Sequence, residues 1–350
     1  MKNMIHLLLF CFLVACPQTE VESNPTEMPS INRCEENNGG CGDPSVFSCE
    51  DSGAENVLCR YDHTEDWKAL TANVATLDHG ESWPSTIVVH GETAFPVISF
   101  TESQRAFIAA ARVGQGKVMH WAHETYFYHM EEQTDDADQL LLNAIQWMSD
   151  KDQPIIGIAP QLSALATFLG SHNYPVVDIT LTNLDAVDIL IRETYEDLSD
   201  ADDQALHNFV NEGKGLITAG LAWWWSYQNG NENVAENYPG NQMIWNSGIT
   251  ITGDWGEPGS HQISAQPPKT IENANLAFTA ILQHLQDNTL NQEELSIASA
   301  TVAHGVAHLS LIFEDFFLLA DDYVETVDFE TITAQKPLIT ADEPLRALLA

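Results

Sequence analysis

The chain has 350 residues and carries 51 Asp and Glu against 13 Lys and Arg, a formal charge of −38. Such a field repels nucleic acid and anionic membrane surfaces, so no nucleic-acid partner is expected. The balance reads as a solvated, salt-tolerant surface, and the length admits a sizeable core.

At the N-terminus Lys2 precedes an apolar stretch over residues 5–15 that is too short to span a bilayer as a mature helix. It ends in Leu13-Val14-Ala15-Cys16, which resembles a bacterial lipoprotein cleavage box. On that reading residues 1–15 are a signal peptide and Cys16 carries lipid. Pro17 is not the aspartate that favours inner-membrane retention. The expected address is therefore the outer membrane or cell surface of a bacterium, with outer-membrane lipid as a partner through Cys16. An ordinary signal peptide with an incidental cysteine is the alternative. Residues 16–33 are polar and proline-bearing, a flexible tether.

Cys34, Cys41, Cys49 and Cys59 crowd into a Gly- and Asn-rich stretch, a disulfide framework in an exported protein. Four cysteines allow three pairings. Asn37-Asn38-Gly39-Gly40-Cys41 resembles the start of an EGF-like module, partial over residues 34–60 because the closing Cys-x-Cys is missing. EGF order implies Cys34–Cys49 and Cys41–Cys59. A zinc knuckle is the competing reading, and the absence of Cys-x-x-Cys speaks against it.

From residue 64 the pattern is that of an α/β region. Residues 86–90 read as a strand, 95–100 and 107–112 as a hairpin pair, and 117–121 as the next strand after a turn at 113–116. Residues 136–150 form an amphipathic helix with Ala137, Leu140, Leu141, Ala144, Ile145 and Met148 on one face. Strands follow at 155–158, 176–179 and 187–191, with a helix over 162–169. Ser199-Asp200-Ala201-Asp202 is a capping signature for a helix burying Leu206, Phe209 and Val210, and the sheet resumes at Gly215. The expected class is α/β: two Rossmann-like units with mainly parallel sheets, over 64–152 and 153–290, then a helical segment and acidic tail over 291–350. The tail helix is expected from Glu293 to about Asp321.

Three adjacent tryptophans, Trp223 to Trp225, follow a predicted strand end, where open α/β sheets place ligand crevices. No helix or strand period buries all three on one face. Tyr238-Pro239-Gly240-Asn241 follows. With Ala94-Phe95-Pro96-Val97-Ile98, His123-Glu124-Thr125-Tyr126 and Gly213-Lys214-Gly215-Leu216, these motifs resemble the amidotransferase-like region of the animal TRP-channel-associated factors and their bacterial relatives. The resemblance covers residues 64–290 and implies a class I amidotransferase-like fold. In that family the region usually precedes an enhancin-type, mucin-directed zinc metallopeptidase domain. No His-Glu-x-x-His occurs in this chain, so that peptidase chemistry is not expected.

The α/β region contains no cysteine, no Gly-x-Ser-x-Gly and no phosphate-cradling glycine loop. Nucleophilic amidotransferase and esterase chemistry are therefore not expected. His120, His123, Glu124 and His129 offer an alternative reading, a zinc-dependent hydrolase site; the plainer reading is a hydrogen-bonded His123–Glu124 pair steadying a turn. His304 and His308 stand one helical turn apart, which suits zinc, but Gly305 takes the place of the general-base glutamate and the pair reads as structural. Trp223, Trp224, Trp225, Tyr227 and Tyr238 suit stacking on sugar rings, with Asn229 and Asn241 bonding hydroxyls. The sequence thus points to a non-catalytic, cofactor-free surface module for glycans or glycoproteins. A split member of the peptidase family is a further alternative.

Overall fold

The structure, a computed structural model, describes residues 34, 44, 46–51, 57–130, 135–179 and 181–309. The expectations for the signal, Cys16, the tether, Cys41 and the chain beyond residue 309 lie outside them.

A disulfide joins Cys34 to Cys49 at the head of the chain. Strands β1 (Phe47–Asp51) and β2 (Val57–Tyr61) form a separate antiparallel hairpin. Then come α1 (Thr64–Thr71), β3 (Thr76–Asp78), β4 (Ser85–Val89), β5 (Ala94–Ser99), β6 (Ala106–Val113) and β7 (Gly116–Trp121). Next are α2 (Thr125–Tyr128), α3 (Ala137–Met148), β8 (Ile156–Ile158), α4 (Ser163–Ser171), β9 (Val176–Asp178), β10 (Ile189–Glu193), α5 (Asp200–Asn211) and β11 (Gly215–Ala219). The chain continues through α6 (Ala222–Gln228), α7 (Val234–Asn237), α8 (Pro239–Met243), β12 (Ile249–Trp255), β13 (Ser260–Gln262), α9 (Ala274–Asp287) and α10 (Gln292–Leu309).

Nine strands make one sheet in the order β12-β4-β6-β7-β11-β10-β8-β9, with β5 also paired to β6. From β7 to β9 every pair is parallel. From β7 to β12 every pair is antiparallel, as is β5 with β6. Connection length decides this: Gly114 and Gln115 alone join β6 to β7, and a link that short closes only antiparallel strands. Gly114 sits at φ 58, in the left-handed region. Pro96 is accommodated because β5 is an edge strand.

Two mainly parallel units were expected, and the sheet differs from that. The hairpin half and the parallel half meet directly at β7 and β11, so strands on both sides of residue 153 share one mixed sheet. Strand β12, which the sequence reading passed over, closes its antiparallel edge.

Helix α5 starts where the cap predicts, with Ser199 Oγ accepting from the Asp202 amide at 3.3 Å. Near the chain's start, Arg112 on β6 holds Asp66 on α1 through two bonds of 2.6 and 2.7 Å, and the Tyr61 hydroxyl also donates to Asp66. Burial pushes the Asp66 carboxyl up, but Arg112 and Tyr61 outweigh it and hold the group below its usual range. This pair ties β2, α1 and β6 together.

Helices α9 and α10 build a second core. Phe278, Ile281 and Leu282 of α9 meet Ala298 and Val302 of α10 over Val88 of β4. Helix α10 runs unbroken through Gly305, and a Cβ there would lie 2.9 Å from Ala274 Cβ. Close packing against α9 is therefore what places glycine inside that helix. No helix among the described residues is long and apolar enough to cross a membrane.

Candidate functional site

Ser85, at the head of β4, knots three segments together. Its Oγ accepts from the Trp223 amide at 3.3 Å, and its backbone pairs in register with Trp255. Beside it, the Gly256 amide donates to Pro84 O at 2.9 Å, and Trp223 Nε1 donates to Trp83 O at 2.6 Å. Trp83, Trp223 and Trp255 consequently cluster, with Trp255 ring centroids 6.1 Å from both of the others. Trp223 meets Trp224 edge-on at 5.8 Å, and Trp224 stacks on Tyr227 at 5.6 Å. The result is a continuous surface array of five rings. Trp83, Trp224, Trp255 and Tyr227 are 45, 43, 56 and 64% exposed. Full burial of such a side chain is worth about 1.5–3 kcal/mol, and these four rings forgo roughly half of it.

Helical spacing sorts the run. Trp224 and Tyr227 are three residues apart on α6 and share its outer face. Trp225 turns inward against Tyr238, with ring centroids 5.3 Å apart. Tyr238 is fully buried, and its hydroxyl lies 2.6 Å from Thr194 Oγ1 just past the end of β10. The crevice expected at the carboxyl ends of the parallel strands is therefore filled by this phenol. Two glycines make room for it. A Cβ on Gly220 would collide with Thr194 Oγ1 and Tyr238 Oη, and one on Gly240 would stand 2.6 Å from the Tyr238 ring. Asn241 braces β12 instead of facing outward: its Nδ2 donates to Val234 O and Ile251 O at 3.0 and 2.9 Å, and its Oδ1 accepts from the Ile251 amide at 2.8 Å. Asn229 is exposed, with Nδ2 donating to Trp225 O at 2.9 Å. Of the predicted aromatic set, Trp223, Trp224, Tyr227 and Asn229 thus face or border solvent. Trp225 and Asn241 turn inward, half-buried, and Tyr238 is buried.

A carboxylate cluster lies beside the plug. Tyr195 accepts from the Leu221 amide at 2.8 Å beside Glu124, while Tyr128 donates to the buried Glu193. Burial drives the Glu124 carboxyl above its usual range, with Tyr195 opposing, and Glu124 Oε2 finds no hydrogen-bond partner among the described residues.

The four groups of the predicted zinc cluster do not converge. His120 is buried on β7, its Nδ1 2.9 Å from Thr218 Oγ1, and burial lowers it to about 3. His123 Nδ1 accepts from the Thr125 amide at 3.1 Å and lies 3.7 Å from Glu124, too far for a hydrogen bond. Burial takes His123 down to about 4, so the neutral ring steadies the turn through Thr125 and not through an ion pair with Glu124. His129 is exposed at the end of α2. Among the described residues, one group of three metal-type donors does converge: Asp254, His304 and His308. It borders a cavity of about 830 Å³ between the sheet edge and α10.

Sequence reasoning missed Trp83, Trp255 and Asp254. Ser82-Trp83-Pro84 and Asp254-Trp255-Gly256 place an indole beside a turn-forming residue, the one local sign that those rings are not core.

Residues 44–266 match the family profile of the TCAF N-terminal domain, described as "TRPM8, N-terminal domain". The chain belongs to that family. It is similar to a TRPM8 channel-associated factor homolog of Xenopus laevis, 32% identical over 69% of this chain and 26% of that protein. TRPM8 channel-associated factor 2 of Bos taurus is 32% identical over 68% of this chain and 24% of its own length. The chain thus spans about a quarter of the length of these family members. Among solved structures, the IMPa metallopeptidase from Pseudomonas aeruginosa aligns with a TM-score of 0.43 at 12% identity, over 55% of this chain and 22% of that one. IMPa in complex with T-antigen aligns with a TM-score of 0.47 at 11% identity, over 65% and 27%.

The family match bears out the channel-associated-factor part of the resemblance drawn from the Trp and Tyr-Pro-Gly-Asn motifs, and lends no support to its amidotransferase-like part or to the EGF-like reading of residues 34–60. It corrects the address read from Cys16. The matched relatives are vertebrate channel-associated factors, including the human ones, which points away from a bacterial outer-membrane lipoprotein.

Proposed function

We propose that this chain is a binding module whose surface of five aromatic rings takes the carbohydrate of glycoproteins. The observation that carries this reading is the array itself. Four indoles and a phenol from three segments meet there, Trp223 half-buried and tied to Trp83 and Ser85, and the other four rings exposed. Rigid rings with one polar edge and broad apolar faces suit the apolar faces of sugar rings at little entropic cost. Acidic surroundings do not oppose neutral sugars, whereas they repel nucleic acid and anionic lipid.

A second reading follows from the family. The relatives are named as channel-associated factors, and the same surface would then take a bare protein partner. Titration of the full chain with a mucin-type glycoprotein, before and after enzymatic removal of its glycans, separates the two. Saturable binding to the glycosylated form alone is the expected result. Equal binding to both forms favours the protein partner, and binding to neither contradicts the carbohydrate reading.

A further inference from the structure

The two histidines that read as a structural pair in sequence acquire a third partner in the fold. His304 and His308 stand one turn apart on α10, with ring centroids 5.0 Å apart. Asp254 reaches them from the bulged end of β12, where the register shifts between Ile251 and Trp255. His308 Nε2 lies 3.2 Å from Asp254 Oδ2. One donor atom from each of the three residues lies within 4.8 Å of the other two. Zinc holds nitrogen and oxygen ligands at about 2.0–2.2 Å, so the three atoms need to close by roughly 1.5 Å at most. Asp254 is 45% exposed and able to turn.

We propose that Asp254, His304 and His308 form a binding site for a divalent transition metal of the zinc class, distinct from the aromatic surface. Four observations support it. Two imidazoles and one carboxylate are a donor set suited to zinc. The rear of the site is braced: Thr86 Oγ1 lies 3.1 Å from His304 Nε2 and 2.6 Å from Thr252 Oγ1, which fixes the ring as an outer-shell partner does. The front is open, because all three residues line the cavity of about 830 Å³, which leaves room for a fourth, exchangeable ligand. Finally, Gly305 is accounted for by contact with Ala274, so the missing Glu of a His-Glu-x-x-His motif marks tight helix packing and says nothing against ligation by the flanking histidines. One feature opposes the metal: Arg105 Nη1 is 3.1 Å from the same Asp254 oxygen. It is 41% exposed, and the carboxylate carries a second oxygen.

The site would join α10 to the sheet edge. Asp254 and Trp255 are consecutive, and neighbouring strand residues face opposite ways. Trp255 rings with Trp83 and Trp223 on one side, while Asp254 meets His308 on the other. The metal site and the aromatic array therefore share a strand end but no side chain, and either stands without the other.

The test uses the full chain, stripped with chelator and titrated with zinc chloride against a competing chromophore. We expect one zinc per chain with the histidines and aspartate unmodified, and affinity at least about tenfold weaker in Asp254→Asn and in His308→Ala. Zinc should also raise the Tm of the wild-type chain, and that of either variant by less at the same zinc concentration. Both substituted groups reach solvent, so folding of the variants is checked by their unliganded Tm; His304 is more deeply buried and is left in place. Cobalt in place of zinc gives a second readout that does not depend on any variant, since visible d–d bands report a nitrogen- and oxygen-ligated site. His123→Ala serves as the control and should bind as the wild type does. No stoichiometric zinc, or zinc retained with unchanged affinity in both Asp254→Asn and His308→Ala, overturns the proposal.

Discussion

Trp224 and Trp225 are neighbours in sequence with opposite fates. Trp225 packs on a buried phenol that fills the carboxyl end of the sheet, and Trp224 stands in a solvent-facing array with rings from two other segments. One residue along a helix is a turn of about 100°, enough to move an indole from the edge of the core to the open surface. A motif read as one unit is therefore two devices. Its Tyr-Pro-Gly-Asn half, with Trp225, closes the crevice where α/β sheets usually bind ligands, and Trp223 and Trp224 join an array of tilted and edge-on rings elsewhere.

The strongest way to break the plug is to crowd it. Gly220→Ala drives a methyl group into Thr194 and Tyr238 in a site with no slack, and we expect a loss of at least about 3 kcal/mol, or failure to fold, in denaturant unfolding. Tyr238→Phe keeps the volume and removes one hydroxyl. Thr194 Oγ1 retains its bond to Ala219 O at 3.1 Å, so the expected cost is about 1–2 kcal/mol by the same measurement.

The neighbouring carboxylate gives an effect of opposite sign. Burial raises Glu124, so the folded state holds its proton to higher pH than the unfolded state does. Stability contributed by this group is thus greatest below the unfolded carboxylate range and falls as pH rises through the folded value. Glu124→Gln should raise Tm by a few degrees at neutral pH and leave it unchanged in acid. A melting series across pH checks this, and a pH-independent difference would contradict it.

Much of the fold is legible in the sequence because local rules and tertiary contacts agree there. The Ser199 cap, the hairpin ahead of β7 and the apolar face of α3 are examples. The continuity of the sheet is not legible, because which strand β7 joins on its far side is a long-range choice made by β11. The site splits the same way. Outward exposure of at least one indole follows from periodicity alone. Trp83 and Trp255 join it only because both segments meet at Ser85, from 2 residues before it to a strand paired with it in register. Asp254 meets His308 across 54 residues of chain, a pairing that no spacing rule anticipates.

On this reading the exposed half of the tryptophan run binds and the inward-facing half supports it. Trp224→Ala and Trp225→Ala, each measured for thermal stability and for binding to the mucin-type glycoprotein, test it most directly. We predict that Trp224→Ala loses binding while its stability stays within about 0.5 kcal/mol of the wild type, and that Trp225→Ala loses stability first. Unchanged binding in a well-folded Trp224→Ala chain would contradict the account.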